Sequence, residues 1–344
     1  MTTKKLNKIK LLYKVRVFHL KDQFTISRGS KKLIKVIDII LKDGKCVGYG
    51  ECIPYDRYNE QLTNILKYLK KNKTTLITKI NEEKIETIPY FSLQNAISAA
   101  LTDLNCKINN TSFLQKHKIP SKFTTAMTVP IFNLEKTKTV LQKLVKVKIL
   151  KIKLNENEVF EKLQLIKSIC KKSKVIIDAN EGWTKSFLQK NIHQLEKFNI
   201  AMIEQPFPRG KDYLLKDIKT SIPFCADETF HTNNKNLHKQ IKYYDYINLK
   251  LDKFGTESNI KKILTKIKNK KIMLGCMVSS SLSLYPALQY LKIADYIDLD
   301  GASFLKQDRD NGLSYKDGAV TINSNFAWGK KKASKKRGLF NFKI

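Results

Sequence analysis

Three carboxylates, Asp178, Glu204 and Asp227, each close a short apolar run, in IIDANEGW, MIEQP and CADET, and they lie 26 and 23 residues apart. Unpaired carboxylates brought together repel one another. A hard divalent cation removes that cost, and an all-oxygen donor set suits Mg²⁺, so the three residues read as ligands of one Mg²⁺ ion. The alternative for the acids is pairing with neighbouring lysines. Lys151 and Lys153 close another run, LKIKL, and face the same way because side chains alternate along a strand. Two such lysines depress each other's pKa, and a lysine so tuned serves as a general base near neutral pH. Lys250 ends the run YINLK. Bases on opposite faces of one carbon remove a proton from one side and return it from the other, which is the chemistry of a racemase or epimerase. A proton alpha to a carboxylate is very weakly acidic, and a cation on both carboxylate oxygens stabilises the enediolate left behind.

Such groups need a scaffold that points them at one place. After Pro120, eight short apolar runs (124–130, 148–154, 174–178, 200–204, 222–227, 245–250, 271–276 and 295–299) alternate with Lys-rich amphipathic segments. That alternation predicts an α/β fold, a (β/α)8 barrel, whose chemistry gathers at the C-terminal ends of the strands. An open doubly wound sheet is the alternative, and no GxGxxG follows an early run to give it a dinucleotide site. The first third is mixed. Residues 11–20 and 33–41 alternate as strands, Asp43-Gly44 reads as a hairpin turn toward Cys46, and 60–72 and 92–107 have helical periodicity. The polar stretch around Pro120 marks a domain boundary, with 121–311 forming the barrel. Ala327 to Ile344, with KKKASKKR, reads as a basic solvated tail, of which 331–344 is the separate part.

The formal charge is +34, but lysines are scattered through nearly every segment and Arg is scarce. No aromatic-basic stripe accompanies them, which argues against a specific nucleic-acid partner. The six cysteines form no CxxC pair, so reduced thiols in a cytoplasm are expected. The N-terminal stretch lacks the apolar region and cleavage site of a signal peptide, and no apolar run is long enough for a membrane span.

The motifs LKIKL (150–154), DANEGW (178–183), IEQPFP (203–208), ADET (226–229) and NLKLDKFG (248–255) resemble those of the enolase superfamily, in its muconate-cycloisomerase-like branch, where a Lys base works beside Mg²⁺. The resemblance covers nearly the whole chain. It implies a modified TIM barrel under an α+β capping domain, built from residues 1–120 and completed by about 312–330. It implies Asp178, Glu204 and Asp227 as metal ligands, Lys153 and Lys250 as paired bases, Lys151 on the substrate carboxylate and Asn180 as support behind them. GECIPYDRY (50–58), GCM (275–277) and DLDG (298–301) are similar to motifs of dipeptide epimerases, L-Ala-D/L-Glu epimerases among them. That likeness implies Asp298 and Asp300 on a dipeptide's α-ammonium group, and Thr128, Cys276 and Val278 lining the pocket. Arg28 falls in the segment that forms the family's specificity loop, where it would clamp a glutamate side chain. Family members are often oligomers, so a homo-oligomer is implied without its size.

Two departures from the family pattern stand out. Thr256 replaces a second Gly after the Lys250 motif, and Val278-Ser279-Ser280 lacks an acidic residue found in some members. A cycloisomerase, an o-succinylbenzoate synthase and an N-acylamino-acid racemase share the metal and lysines, but their substrates leave Asp298 and Asp300 without an ammonium partner. A non-enzymatic basic binding protein leaves the strand-end charges unexplained. None of the five histidines falls at a strand end in a motif, so surface or core placement is expected for them.

Overall fold

A computed structural model describes residues 9–231, 237–267 and 269–330. The chain begins with an antiparallel sheet of β1 (Lys10–Ile26), β2 (Gly29–Asp43) and β3 (Cys46–Cys52), in that order. Asp43-Gly44 makes the expected turn, with Asp43 paired to Cys46. β1 and β2 run further than their apolar alternation indicates. After a register shift between His19 and Phe24 the hairpin continues to Ile26 opposite Gly29, which carries Arg28 outward at its tip. The helices α1 (Leu62–Lys71), α2 (Lys73–Asn81) and α3 (Phe91–Ile108) pack their apolar faces on this sheet. α3 lies so close to β3 that a Cβ at Gly50 would stand 1.9 Å from the Ala96 carbonyl oxygen, and one at Gly48 2.0 Å from that of Ala100. A short α4 (Phe113–Lys116) and β4 (Lys122–Thr124) follow.

Eight parallel strands then form one sheet in chain order: β5 (Met127–Val129), β6 (Ile149–Lys153), β7 (Lys174–Asp178), β8 (Ile200–Glu204), β9 (Phe224–Ala226), β10 (Tyr246–Leu249), β11 (Lys271–Gly275) and β12 (Tyr296–Asp298). All eight fall within the expected runs. The ring is bridged between its first and last strands by Ala126 N donating to Ile297 O at 2.7 Å. α5 (Leu134–Gln142), α6 (Val159–Ile169), α7 (Lys185–Leu195), α8 (Leu237–Ile241), α9 (Glu257–Lys266) and α10 (Ser281–Leu284) lie between the strands. Asn133 and Thr184 cap α5 and α7 by accepting a backbone N–H. Thr256 caps α9 in the same way, which gives the residue that departs from the family pattern a structural role. The alternation of strand and α-helix is not complete: β8 and β12 are followed by the 3-10 segments Asp212–Asp217 and Gly301–Phe304.

β13 (Ser314–Lys316) and β14 (Ala319–Thr321) pair with β4 in a third small sheet. The chain then returns to the first layer, where Trp328 Nε1 donates to Tyr49 O at 2.8 Å and Gly329 N to Asp103 Oδ1 at 2.7 Å. Ala327 to Gly329 are therefore docked, not part of a solvated tail, because the indole is buried against Phe113 and Tyr285. The rest of the expected tail, 331–344, lies outside the described residues.

The cap is tied to the barrel through buried charge. Arg309 reaches Asp38 of β2, Glu51 of β3 at 2.5 Å and Ser280 Oγ at 2.6 Å. Removing one partner of such a buried set strands the others, so the contact fixes how the cap sits. No helix among the described residues is long and apolar enough to cross a membrane.

The glycine contact gives a direct test. Gly50→Ala drives a methyl group into a backbone carbonyl that no rotamer change can move. We expect a loss of about 1–3 kcal/mol, read as a lower thermal midpoint by calorimetry. An unchanged midpoint would show that α3 does not rest on β3 this closely.

Candidate active site

The barrel floor is a layer of Ala126, Ile176, Met202, Cys225, Tyr246 and Met273, with Ile149 and Tyr296 packed against it. Because side chains alternate along a strand, the residue two positions on faces the same interior. Those residues are Thr128, Asp178, Glu204, Asp227, Asn248, Gly275, Lys151 and Asp298. The floor thus aims a layer at the mouth that is polar apart from Gly275, and every member is buried.

The oxygens of the three acids divide into two sets. Asp178 Oδ1 accepts from Asn180 N at 3.0 Å, Glu204 Oε1 from Asn248 Nδ2 at 2.6 Å, and Asp227 Oδ1 from Lys253 Nζ at 2.8 Å. Each second oxygen faces an ammonium. Asp178 Oδ2 is 2.7 Å from Lys153 Nζ and 3.1 Å from Lys151 Nζ, Glu204 Oε2 is 2.5 Å from Lys151 Nζ, and Asp227 Oδ2 is 2.7 Å from Lys250 Nζ. Lys151 also holds Asp298 Oδ2 at 2.8 Å. The acids therefore converge, but on lysines: among the described residues no group of three or more His, Cys, Asp or Glu stands in metal-binding geometry. The donor set nevertheless fits a hard cation. Three buried carboxylates each have one oxygen fixed by the protein and one oxygen already presented to positive charge.

Burial pushes the Glu204 carboxyl up to about 8, with the charge of Asp178 adding to the effect and Lys151 opposing it. Asp178 is held below the ordinary range: burial would raise it, but Lys151 and Lys153 outweigh that, and Lys250 and Lys253 do the same for Asp227. The expectation that Lys151 and Lys153 lower each other is overturned for Lys151. They do face the same way, since both reach Asp178 Oδ2. Burial lowers Lys151, yet Asp178, Asp298, Glu204 and Asp227 together hold it well above the ordinary lysine value. Lys250 is raised in the same manner, chiefly by Asp227 against its own burial.

The other expected residues gather around this centre. Asn180 Oδ1 accepts from Lys153 Nζ at 3.0 Å, and Thr128 N donates to Asp300 Oδ2 at 2.6 Å. Asp298 Oδ1 is buried with no hydrogen-bond partner among the described residues. Cys276 Sγ donates to Asp298 O at 3.3 Å. Val278 packs instead with the cap residues Phe18, Leu20, Ile34, Val36 and Ile53 and with Leu305, so it belongs to the roof more than to the barrel wall. Arg28 arrives from the hairpin tip. Its Nη1 donates to Asn180 O and Glu181, and its Nη2 to Glu228 at 2.6 Å and Tyr55 Oη at 3.3 Å. All four terminal N–H groups are thus engaged. His231, expected on the surface or in the core, is buried and stacked on Tyr58.

Sequence reasoning passed over Asn248, Lys253, Glu228 and Phe24. Asn248 could have been found by counting two residues back from Lys250 along one strand. Phe24, whose ring lies 5.7 Å from Lys153 Nζ, carried no signal because it comes from another layer. Backbone strain marks the same region: Asn180, Glu181 and Gln205 have φ of 45°, 67° and 38°, a region that Asn tolerates and Glu and Gln rarely enter.

A family model described as enolase C-terminal domain-like matches residues 136–329. An N-acetyl-D-glutamate racemase of Pseudoalteromonas sp is 31% identical over 302 residues, covering 86% of this chain and 95% of that protein. An L-Ala-D/L-Glu epimerase of Escherichia coli (strain K12) is 30% identical over 319 residues, 90% and 99% of the two chains. Among solved structures, an enolase family member from Agrobacterium tumefaciens with homology to dipeptide epimerases, holding sodium and L-Ala-L-Glu, is similar with a TM-score of 0.86 and 29% identity over 94% of this chain and 100% of that one. The fold is shared by a dipeptide epimerase of Methylococcus capsulatus solved with Mg and L-Arg-D-Lys, at a TM-score of 0.80 and 23% identity over 92% and 97%.

The charge balance predicts how the site responds to losing its central ammonium. Lys151→Ala leaves Asp178, Glu204 and Asp298 facing one another without it, at a cost of about 3–5 kcal/mol. In EDTA the variant should melt well below the parent protein, and added Mg²⁺ should recover more stability in the variant than it adds to the parent. Equal melting in EDTA would mean that Lys151 is not the counter-charge.

Proposed function

We propose, for a chain that belongs to the enolase superfamily in its branch of muconate-lactonizing enzymes and dipeptide epimerases, that it is a Mg²⁺-dependent epimerase of the C-terminal residue of a dipeptide, with L-Ala-L-Glu the favoured substrate. The observation that carries the reading is the set of acids that each turn one oxygen toward an ammonium at the centre, with Lys153 and Lys250 among those ammonium groups. These lysines belong to β6 and to the end of β10, four strands apart in a ring of eight, so they reach the mouth from opposite walls.

Asp178, Glu204 and Asp227 would hold the ion. Mg²⁺, when bound, supplies positive charge that neutralises these acids and the charge developing on the substrate carboxylate. Released from Asp178 and Asp227, Lys153 and Lys250 hold and move the proton: one takes it from the α-carbon, and the other delivers a proton to the opposite face. Asn180, bonded to Lys153, keeps that amine on the correct side. Lys151 binds the substrate carboxylate and balances the acids. Phe24, Val278 and their neighbours between cap and barrel keep bulk water away, which strengthens every charge interaction beneath them.

Two features support a dipeptide. Asp298 Oδ1 is buried without a partner, and the Asp300 carboxyl is pushed up to about 7 by burial and by Asp298 beside it. Lys151 reaches only Asp298 Oδ2, so Oδ1 is left for an α-ammonium group to meet. The preference for a glutamate rests on Arg28. Because all four terminal N–H groups of Arg28 are engaged, a substrate carboxylate that bound at Nη2 would have to displace Glu228 or Tyr55. A second reading, racemisation of an N-acylated glutamate, is favoured by the bond that already satisfies Asp298 Oδ2 from Lys151, and by the Pseudoalteromonas relative.

Incubation of L-Ala-L-Glu, other dipeptides and N-acetyl-D-glutamate with Mg²⁺ in D₂O decides between these readings. Deuterium should enter the α-carbon of the C-terminal residue of the dipeptide with epimerisation; turnover of the N-acetyl amino acid alone would establish the second reading. Lys153→Ala and Lys250→Ala should each lose epimerisation by about 100-fold or more, and retained epimerisation in either would remove the two-base mechanism. Mg²⁺ must displace the proton that Glu204 holds below a pH of about 8. The affinity for Mg²⁺ should therefore climb with pH toward 8 and level off above it, as followed by calorimetric titration; a flat profile would mean that Glu204 is ionised throughout.

A further inference from the structure

The polar layer of the barrel contains two members with no charge and no hydroxyl, Asn248 on β10 and Gly275 at the end of β11, and they touch. Asn248 is fully buried. Its Nδ2 donates to Glu204 Oε1 at 2.6 Å. Its Oδ1 has no hydrogen-bond partner among the described residues and lies over Gly275, where a Cβ would stand 2.1 Å from it. With Glu204 ionised the amide cannot be reversed, because turning its oxygen toward the carboxylate would set two acceptors against each other. A buried acceptor left unsatisfied is a cost that ordinary core packing avoids. Here the strand beside it has no side chain at that point, and the amide occupies the space so created. The backbone oxygen of Asn248 meanwhile accepts from Lys253 Nζ at 2.9 Å, and the same ammonium holds Asp227 Oδ1. One residue of β10 is thus bonded directly to one acid and through Lys253 to another.

We infer that Asn248 is a positioning residue that restricts Glu204 to giving one oxygen to a cation, and that Gly275 is the clearance it requires. The consequence is selectivity between divalent ions. Mg²⁺ demands near-octahedral coordination from single oxygens, whereas Ca²⁺ accepts six to eight and readily takes a carboxylate through both. With Oε1 bonded to the Asn248 amide, Glu204 has only Oε2 to offer. Freed of that bond, the carboxylate can rotate and present both oxygens, an arrangement that suits the larger ion.

The inference rests on Glu204 being a cation ligand, and the experiment separates the two. Metal-stripped full-length protein is titrated calorimetrically with Mg²⁺ and, separately, with Ca²⁺, for the parent chain, Asn248→Ala and Gly275→Ala, with near-ultraviolet circular dichroism to verify the fold. The parent should prefer Mg²⁺. In Asn248→Ala the Mg²⁺ affinity should fall by about 10- to 100-fold, as is usual when support behind a ligand is removed. Ca²⁺ affinity should fall far less or rise, so the Mg²⁺/Ca²⁺ ratio drops at least about tenfold. Gly275→Ala, which retains the amide but pushes it off its seat, should reproduce the drop. If Asn248→Ala does not fold, Asn248→Ser, which occupies less of the same space, is measured in its place together with Gly275→Ala. Equal weakening of both ions, or an unchanged ratio in the folded variants, overturns the inference while leaving the site reading intact. A parent protein that binds neither ion removes the reading of Glu204 on which it rests.

Discussion

Charge balance in a buried space governs this molecule. Asp178, Glu204, Asp227, Glu228, Asp298 and Asp300 all lie at one end of a barrel with almost no solvent contact. Carboxylates so placed are tolerated only when positive charge or hydrogen-bond donors meet them. Lys151, Lys153, Lys250 and Lys253 do that from the barrel, and Arg28 does it from above. Under the proposed function two of these same amines would also move protons, so the structural use of Lys153 and Lys250 would compete with a chemical one.

The cap is part of that balance. The long β1–β2 hairpin brings Ser27 Oγ to Ala179 O at 2.7 Å and Arg28 to Glu181 and Glu228, beside the residues that follow Asp178 and Asp227. Arg57, from the segment after β3, binds Glu181 as well. Closure over the mouth is thus expressed in ion pairs to the strand ends that carry the acids. Further out, Arg309 with Asp38 and Glu51 sets the cap's orientation, and the close contact of α3 with Gly48 and Gly50 sets its thickness. A loss of packing in the cap would therefore be felt at the barrel mouth through the hairpin.

Some of the chain's left-handed backbone lies beside the acids. Asn180, Glu181 and Gln205 adopt left-handed conformations immediately after two of the acids. Gln205 is anchored by its own side chain, whose Oε1 accepts from the backbone N–H groups of Asp227 and Thr229, so the turn after one acid positions the next. Neighbouring strand ends of the barrel are in this way linked to each other, and Asn248, bonded to Glu204 and to the ammonium on Asp227, continues the linkage to β10.

Much of the architecture was legible in the chain's own pattern. Eight apolar runs at regular spacing define eight strands, and the two-residue period of a strand, set by covalent geometry, dictates that Asp178, Glu204 and Asp227 face the interior with the floor residues two positions before them. The same period makes Lys151 and Lys153 neighbours on one face. Local rules also account for the Asp43-Gly44 turn and for the presence of α3, through its helical periodicity. They could not reveal that Trp328 docks in the cap, that the β1–β2 hairpin outlasts its apolar alternation, or that two helices of the barrel are replaced by short 3-10 segments, since these follow from contacts with distant residues. Nor could they set the protonation of Lys151. Its nearest charged neighbour in sequence is another lysine, whereas the acids that raise it come from three other strands and the turn after a fourth. Electrostatic energy depends on distance in space, and only the closed barrel brings those charges within reach.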